Sequence, residues 1–195
     1  MSLLLSSRPV IFGEVLFDVF SDGAAVLGGA PFNVAWNLKG FGLDPVFISA
    51  VGDDERGEAV LKAMRGWGMD TGAVQVDDKH PTGVVDVSVE NGQPSFSILD
   101  HQAYDFISES MADKSLENGR FSIFYHGSLI ARSEMSRRTL YSLRESLGLS
   151  LFIDVNLRPP WWDSKSVFDA INMARWVKLN SDELCDLLEQ SLDSK

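Results

Sequence analysis

Polar side chains follow the apolar segments of this sequence at the positions where predicted β-strands end. The set is Asp18, the run His126-Gly127-Ser128, Asn156, Arg158, Asn180, Ser181 and Glu183. Ligands of open α/β sheets bind outside the carboxyl ends of the strands, so these residues are expected to line one rim. Carboxylate, amide and guanidinium groups together suit a polyhydroxylated ligand, because carboxylates accept from hydroxyls while amides both donate and accept. Polar loops are general in such proteins, so no single residue proves a site.

A glycine-rich run, Gly28-Gly29-Ala30-Pro31-Phe32-Asn33, directly precedes a predicted helix. Glycines let the backbone approach a ligand closely, and the helix start offers amide donors that have no partner within the helix. Asn33 falls near the first turn, where its side chain can face the same ligand. The run therefore predicts a ligand site, and a tight turn before an ordinary helix is the alternative.

Motifs of several other enzyme classes are missing from the sequence. Neither G-x-x-x-x-G-K-[ST] nor G-x-G-x-x-G occurs, so a P-loop ATPase and a Rossmann dehydrogenase are not supported. The absence of H-E-x-x-H, G-x-S-x-G and cysteine pairs also disfavours zinc and serine hydrolases. His126 ends an apolar run, which favours a packed histidine over a base. Trp161-Trp162 suggests a sugar-stacking platform, with core packing or a loop anchor as the favoured alternative.

The elements that must position these residues alternate between apolar runs and helical patterns, which is typical of an α/β fold with a mostly parallel sheet. Helical spacing of Val60, Met64 and Trp67 before Gly68 predicts one helix. The predicted strands are 9–17, 46–51, 121–125, 151–155 and 176–179, and the further helices are 31–38, 134–147, 167–175 and one from Asp182.

One stretch departs from this alternation. Residues 84–89 and 95–99 are rich in β-formers and flank Asn91-Gly92, which is a strong hairpin signal. Together with 73–76 they are expected to form a small sheet that projects from the main domain and covers a ligand or pairs with another subunit. An edge hairpin of the main sheet is the alternative.

The composition is that of a soluble globular protein with one sizeable core, since 45% of the 195 residues are hydrophobic and 23% are charged. A formal net charge of -11 argues against a nucleic-acid surface. Cys185 is the single cysteine, which excludes an internal disulfide and favours a reducing, cytoplasmic location. The apolar stretch within residues 1–9 is too short for the core of a signal peptide or for a membrane span.

Four segments of the chain resemble the ribokinase-like (PfkB) family of carbohydrate kinases. Residues 28–54, GGAPFNVAWNLKGFGLDPVFISAVGDD, are similar to the family's first signature, with paired glycines and an Asn four positions after the second. FGEVLFD at 12–18 resembles the opening strand with its substrate-binding Asp. DVNLRPPWW at 154–162 is similar to the D-x-N-x-R run of fructokinase-type and ketodeoxygluconate-kinase-type members, and VKLNSDEL at 177–184 resembles the N-x-x-E segment.

The resemblance implies a ribokinase-like α/β domain over 1–195, with lid strands in about 15–27 and 73–100. It implies a sugar site in which Asp18 accepts from hydroxyls, Gly28 and Gly29 admit the ring, and Asn33 bonds a further hydroxyl. Arg158 is expected to reach a carboxylate, hydroxyl or phosphate of the sugar, with a salt bridge at the sheet rim as the alternative.

The resemblance also implies ATP and Mg²⁺ as cofactors and leaves a monovalent cation open. Asn180 and Glu183 would order Mg²⁺ and phosphate, with Glu183 acting on the metal through water. The implied activity is transfer of the γ-phosphate of ATP to a hydroxyl of fructose or a related keto-sugar. Ribose, a nucleoside and 2-keto-3-deoxygluconate are alternatives. The implied partners are small molecules and a second copy of the chain, paired through the lid, with no nucleic acid and no membrane.

One departure from the family pattern limits these expectations. The family's second signature, which contains Gly-Ala-Gly-Asp, supplies the catalytic base and an anion hole, and no such run occurs here. We therefore expect no catalytic residue in this chain, an absent C-terminal ATP-binding part, and no activity from the chain alone. A noncatalytic sugar-binding or regulatory fragment is the competing interpretation.

Overall fold

The computed structural model describes residues 7–90 and 93–193, and these form ten β-strands and six α-helices. The strands are β1 (Arg8–Phe12), β2 (Leu16–Phe20), β3 (Ala25–Gly28), β4 (Val46–Gly52), β5 (Val74–Asp77), β6 (Gly83–Glu90), β7 (Gln93–Ile98), β8 (Phe121–Gly127), β9 (Leu151–Asp154) and β10 (Trp176–Lys178). The helices are α1 (Ala30–Gly40), α2 (Glu55–Gly66), α3 (Glu109–Leu116), α4 (Glu134–Leu147), α5 (Ser164–Met173) and α6 (Ser181–Asp193).

Six strands form a sheet in the order β10-β9-β8-β1-β4-β5, and every neighbouring pair is parallel. On the central strand β1, Val10 and Phe12 pack into one hydrophobic cluster and Ile11 into another, because successive side chains point to opposite faces. Helices cover both faces, which is why the central strands are continuous apolar runs. The predicted mostly parallel sheet flanked by helices is confirmed.

Local capping explains where the helices start and stop. The side chain of Asp54 accepts a hydrogen bond from the amide of Gly57 at 2.8 Å, which satisfies one free donor at the start of α2. Gly148 follows α4 with a φ of 56°, the left-handed conformation that commonly ends a helix. Among the described helices, none is long and apolar enough to cross a bilayer.

The four remaining strands form a second, small sheet in the order β3-β2-β6-β7. The β6–β7 hairpin confirms the two predicted strands around 91–92, while the turn itself lies outside the described residues. The prediction that 73–76 also belongs to this sheet is wrong, because β5 pairs in parallel with β4 at the edge of the main sheet. The segment follows α2 and completes a β-α-β unit, so it returns to the sheet from which it left.

The predicted first strand, 9–17, is divided between the two sheets. β1 ends at Phe12 in the main sheet, and β2 begins at Leu16 in the small sheet. A side chain on Gly13 would meet the ring of Pro31 at 2.3 Å, so the chain can turn there only without one. The two sheets therefore diverge at residues 13–15, and a cleft opens between them.

Candidate functional site

The cleft between the two sheets has a volume of about 340 Å³. Its walls are the start of α1, strands β2, β6 and β7 of the small sheet, and the segments that follow β8 and β9. Its polar lining residues are Glu14, Asp18, Asn33, Ser128, Asn156 and Arg158. The rim expected from the sequence is thus assembled here in part, and it is closed on one side by the small sheet.

Asp18 lies inside β2, paired with Val26 of β3 and Val85 of β6. The expectation that it follows the first strand on the main-sheet rim is therefore wrong, because β1 has already ended and Asp18 belongs to the covering sheet. Partial burial raises the pKa of its carboxyl, and the positive charge of Arg158 opposes that rise. Asp18 is positioned to accept hydrogen bonds from a ligand held beneath the small sheet.

Gly28 and Gly29 connect β3 to α1 and shape the cleft in different ways. A side chain on Gly28 would stand 3.0 Å from Oδ2 of Asp18, so its absence leaves room for that carboxylate. Gly29 lines the cleft at a φ of 107°, and a side chain there would meet the carbonyl oxygen of Glu14 at 2.6 Å. Both a left-handed backbone and lack of space require glycine at this position.

The start of α1 forms one wall of the cleft. Gly29 is the N-cap and contributes no side-chain cap, while Pro31 in the first turn has no N–H to satisfy. Ala30 and Asn33 line the cleft one turn apart, and Asn33 is exposed at its rim. The predicted proximity of Asp18, Gly29 and Asn33 is what the structure shows.

The ends of β8 and β9 form the opposite wall. The hydroxyl of Ser128 donates to the carbonyl of Asn156 at 3.0 Å, which ties the two segments together. Asn156 has a φ of 48°, a left-handed conformation that asparagine tolerates better than most residues. Such strain is common at binding sites, since surrounding contacts must hold it.

Arg158 extends from the same wall and is exposed. Its guanidinium donates to the carbonyl of Leu157 at 3.1 Å. Burial raises the pKa of both Asp18 and Glu14, and the charge of Arg158 opposes that rise. Asp154, the first residue of the same motif, plays a different part, because its carboxylate accepts from Lys178 and from the hydroxyl of Tyr125. It therefore joins three strands, while Arg158 faces the cleft.

Asn180 and Glu183 lie apart from the cleft lining and cap the start of α6. The two oxygens of Glu183 accept from the amides of Leu157 and Asn180 at 3.2 and 2.9 Å, and the side chain of Asn180 accepts from the amide of Glu183. Over residues 7–90 and 93–193, no cluster of three or more potential ligands could hold a metal ion. The geometry thus displays a helix cap, and a water-mediated role of Glu183 toward Mg²⁺ stays a prediction.

Replacing Glu183 with alanine is expected to lower the free energy of unfolding by about 1–2 kcal/mol, because it leaves two amides without their acceptor. Urea unfolding followed by circular dichroism measures this. Glu189→Ala, at an exposed position of the same helix, is the matched control and should change stability little. Equal losses in the two variants would contradict the capping role.

The tryptophan pair Trp161-Trp162 and the imidazole of His126 do not line the cleft. Trp161 lies 4.7 Å over the guanidinium of Arg132, and Trp162 packs against a small hydrophobic cluster beside α5 and α6. The tandem tryptophans therefore act as loop anchors, which was the alternative to a sugar-stacking platform. His126 is buried, its Nδ1 lies 2.8 Å from the carbonyl oxygen of Gly127, and burial lowers its pKa to about 4.

Glu14 is the cleft residue that sequence reasoning missed. In the sequence it only interrupts an apolar run. In the structure it is the first side chain after β1 that lines the cleft. The sequence did contain a signal for Glu14. It follows a glycine at the end of a buried strand, and ligands of such sheets bind at the ends of the strands.

Comparisons with known proteins identify the family of this chain. The profile of the pfkB family carbohydrate kinases matches residues 20–195. An Arabidopsis thaliana protein named Probable fructokinase-7 is 31% identical over an alignment 196 positions long, gaps included, and the alignment covers 90% of this chain and 57% of that protein. A fructokinase of Salmonella typhimurium is 27% identical over 92% of this chain and 62% of its own length.

Solved structures share the fold. A sugar kinase from Pyrococcus horikoshii in complex with ATP superposes with a TM-score of 0.84 at 28% identity, over 93% of this chain and 66% of that one. A fructokinase from Xylella fastidiosa with bound ATP gives a TM-score of 0.85 at 23% identity, over 96% of this chain and 62% of its own. This chain thus spans between about half and two thirds of the length of these relatives, and it belongs to the pfkB family of carbohydrate kinases.

Proposed function

We propose that this chain is the sugar-binding part of a kinase that transfers the γ-phosphate of ATP to a sugar hydroxyl, with fructose or a related keto-sugar as the preferred acceptor. The observation that carries the proposal is the cleft, in which Asp18, Asn33 and Arg158 converge from three separated parts of the sequence. Membership of the carbohydrate kinase family and relatives named fructokinase support the same reaction class.

The cleft has the donors and acceptors that a neutral polyol needs. Asp18 accepts from hydroxyls, Asn33 both donates and accepts, and Arg158 donates to hydroxyl or carbonyl oxygens. Fixing the acceptor in one orientation supplies a large part of the acceleration in phosphoryl transfer, because the protein contributes positioning more than covalent chemistry. The residues named here bind and orient the sugar, and the cover provided by the small sheet helps to exclude water.

ATP enters this proposal as the second substrate. The side chains of Asn180 and Glu183 cap α6 in this structure, and sugar binding in the cleft is proposed without a contact to ATP or Mg²⁺. The expected roles of these two residues toward Mg²⁺ and phosphate, and of a monovalent cation, are part of the proposal for the whole protein.

A noncatalytic sugar-binding module is the second candidate. The observation that favours it is the lining of the cleft, whose polar side chains are all placed to bind a ligand. Such a module would use the same cleft residues and would bind sugar without consuming ATP.

A coupled assay of ADP release by the full-length protein, combined with calorimetry, separates the two candidates, because no activity is expected from this chain alone. The panel is D-fructose, D-ribose, a nucleoside and 2-keto-3-deoxygluconate, each with and without ATP and Mg²⁺. A kinase releases ADP with one acceptor well above the others, with fructose expected first. Sugar binding without ADP release supports the module, and no binding of any panel sugar contradicts both candidates.

Pairing of two copies through the small sheet belongs to the same proposal. β3 and β7 are its outer strands, and each pairs on one side only within the described chain. Exposed Val26 on β3 offers apolar area for such a contact. A cytoplasmic location, expected from cysteine usage, also stays a prediction.

A further inference from the structure

Glu14 is a buried acidic residue in the wall of the sugar cleft. It is 4% exposed, which makes it the deepest of the polar lining residues, whereas Asn33 and Arg158 are exposed at the rim. Within the described residues, its Oε2 atom is enclosed and has no hydrogen-bond partner. A carboxylate oxygen left in this state costs free energy, so the site is incomplete without a donor.

The surroundings of Glu14 favour an uncharged carboxyl. Burial raises its pKa to about 7, and this outweighs the opposing effects of the Glu14 and Ala30 amides and of two arginines. The charged and titratable groups around it are Arg158 after β9, Arg132 after β8, Asp18 in β2, Tyr125 in β8, and Tyr104 in the short helical turn 103–106.

We propose that Glu14 is a substrate-binding residue whose carboxylate accepts a hydrogen bond from a sugar hydroxyl at the floor of the cleft, so that sugar binding releases a proton. The inference rests on the proposed function, because it names a contact of the same sugar site. The hydroxyl keeps its proton and donates it to the carboxylate, while the proton that left the carboxyl goes to the buffer. No other bond forms or breaks.

The direction of the coupling follows from which form of Glu14 the sugar prefers. A donor hydrogen bond stabilises the ionised carboxyl, so the pKa of Glu14 falls when the sugar binds. Affinity therefore increases with pH below the pKa of the empty site, by at most about tenfold per pH unit, and levels off once the pH is well above that pKa of about 7. A structural role alone would leave affinity independent of pH in this range.

Calorimetry with D-fructose in two buffers of different ionisation enthalpy counts the protons released. Between pH 6 and pH 7 the wild-type chain is expected to release a measurable fraction of a proton per fructose bound, since burial raises the pKa of Glu14 to about 7 in the empty site. Glu14→Gln has nearly the same shape and cannot ionise, so it should bind about tenfold more weakly and release none. Its fold is checked by circular dichroism.

Asp18→Asn is the control for the second carboxyl of the cleft. It should weaken binding yet retain the proton release near pH 7. Fructose binding by the wild type without proton release overturns the inference, and this result needs no variant to fold. Release that persists in Glu14→Gln overturns it equally. Absence of binding by any sugar of the panel instead overturns the proposed function, and the inference with it.

Discussion

Asp18→Ala is expected to weaken sugar binding by about 100-fold, or about 2.8 kcal/mol. The carboxylate belongs to β2 and lines the cleft, where it is positioned to accept from ligand hydroxyls. Hydrogen bonds to a charged group contribute about 1.5–3 kcal/mol each. Because Asp18 is only partly buried, the fold should survive the change. Calorimetric titration of the panel sugars measures the loss.

Asp86→Ala is the matched control for Asp18. Asp86 is an exposed aspartate on the neighbouring strand β6, next to Val85, which pairs with Asp18 and lines the cleft. Successive residues of a strand point to opposite faces, so Asp86 lies on the far side of the small sheet. Its replacement should leave affinity unchanged. Equal affinities of Asp18→Ala and the wild type would remove Asp18 from the site.

The second large effect is expected on stability, at the ion pair between Asp105 and Arg132. Replacing Asp105 with alanine should lower the free energy of unfolding by about 3–5 kcal/mol, because a buried guanidinium loses its counter-ion. Two hydrogen bonds join the groups, Nε to Oδ1 at 2.8 Å and Nη2 to Oδ2 at 2.7 Å, and both side chains are at most 4% exposed. Urea unfolding measures the loss.

The stacking around Arg132 explains why the pair cannot rearrange cheaply. Its guanidinium lies 5.1 Å from the ring of Tyr104 and 4.7 Å from that of Trp161, and it also donates to the carbonyl of Leu99 at the end of β7. The pair thereby fastens the base of the small sheet to the start of α4. Loss of Asp105 should therefore loosen the cover of the cleft as well.

Two further variants test this interpretation. Arg138→Ala removes an exposed partner of Glu109 at 3.7 Å and should cost less than about 0.5 kcal/mol. In Asp105→Ala combined with Arg132→Ala, the loss should be smaller than the sum of the two single losses, since no unpaired charge stays buried. Additive losses would show that the ion pair is not the source of the effect.

Periodicity in the sequence was sufficient for the main elements. The helix predicted around 134–147 is α4, an amphipathic helix that buries one face and exposes the other. β4 and β8 were found because strands covered on both faces are continuous apolar runs. The prediction of one strand over 9–17 was wrong, because an apolar pattern does not reveal where a chain leaves one sheet for another.

The sequence did not allow us to predict which strands pair with each other. Residues 73–76 have the composition of a strand, and composition is equally compatible with either sheet; β5 joins β4 because α2 returns the chain to that edge. The ion pair between Asp105 and Arg132 could not be predicted either, since it depends on a turn and a loop that meet only after the sheet has formed.

The sequence by itself determined the chemical types of the proposed sugar site, because the glycine run before α1, Asp18, Asn33 and Arg158 are local motifs. Only the tertiary structure decided which of them meet. It brought the small sheet over the ends of β8 and β9, and it left Asn180 and Glu183 capping α6. It also turned Glu14 from an interruption of an apolar run into the most deeply buried acid of the cleft, because burial and partners are properties of the folded chain.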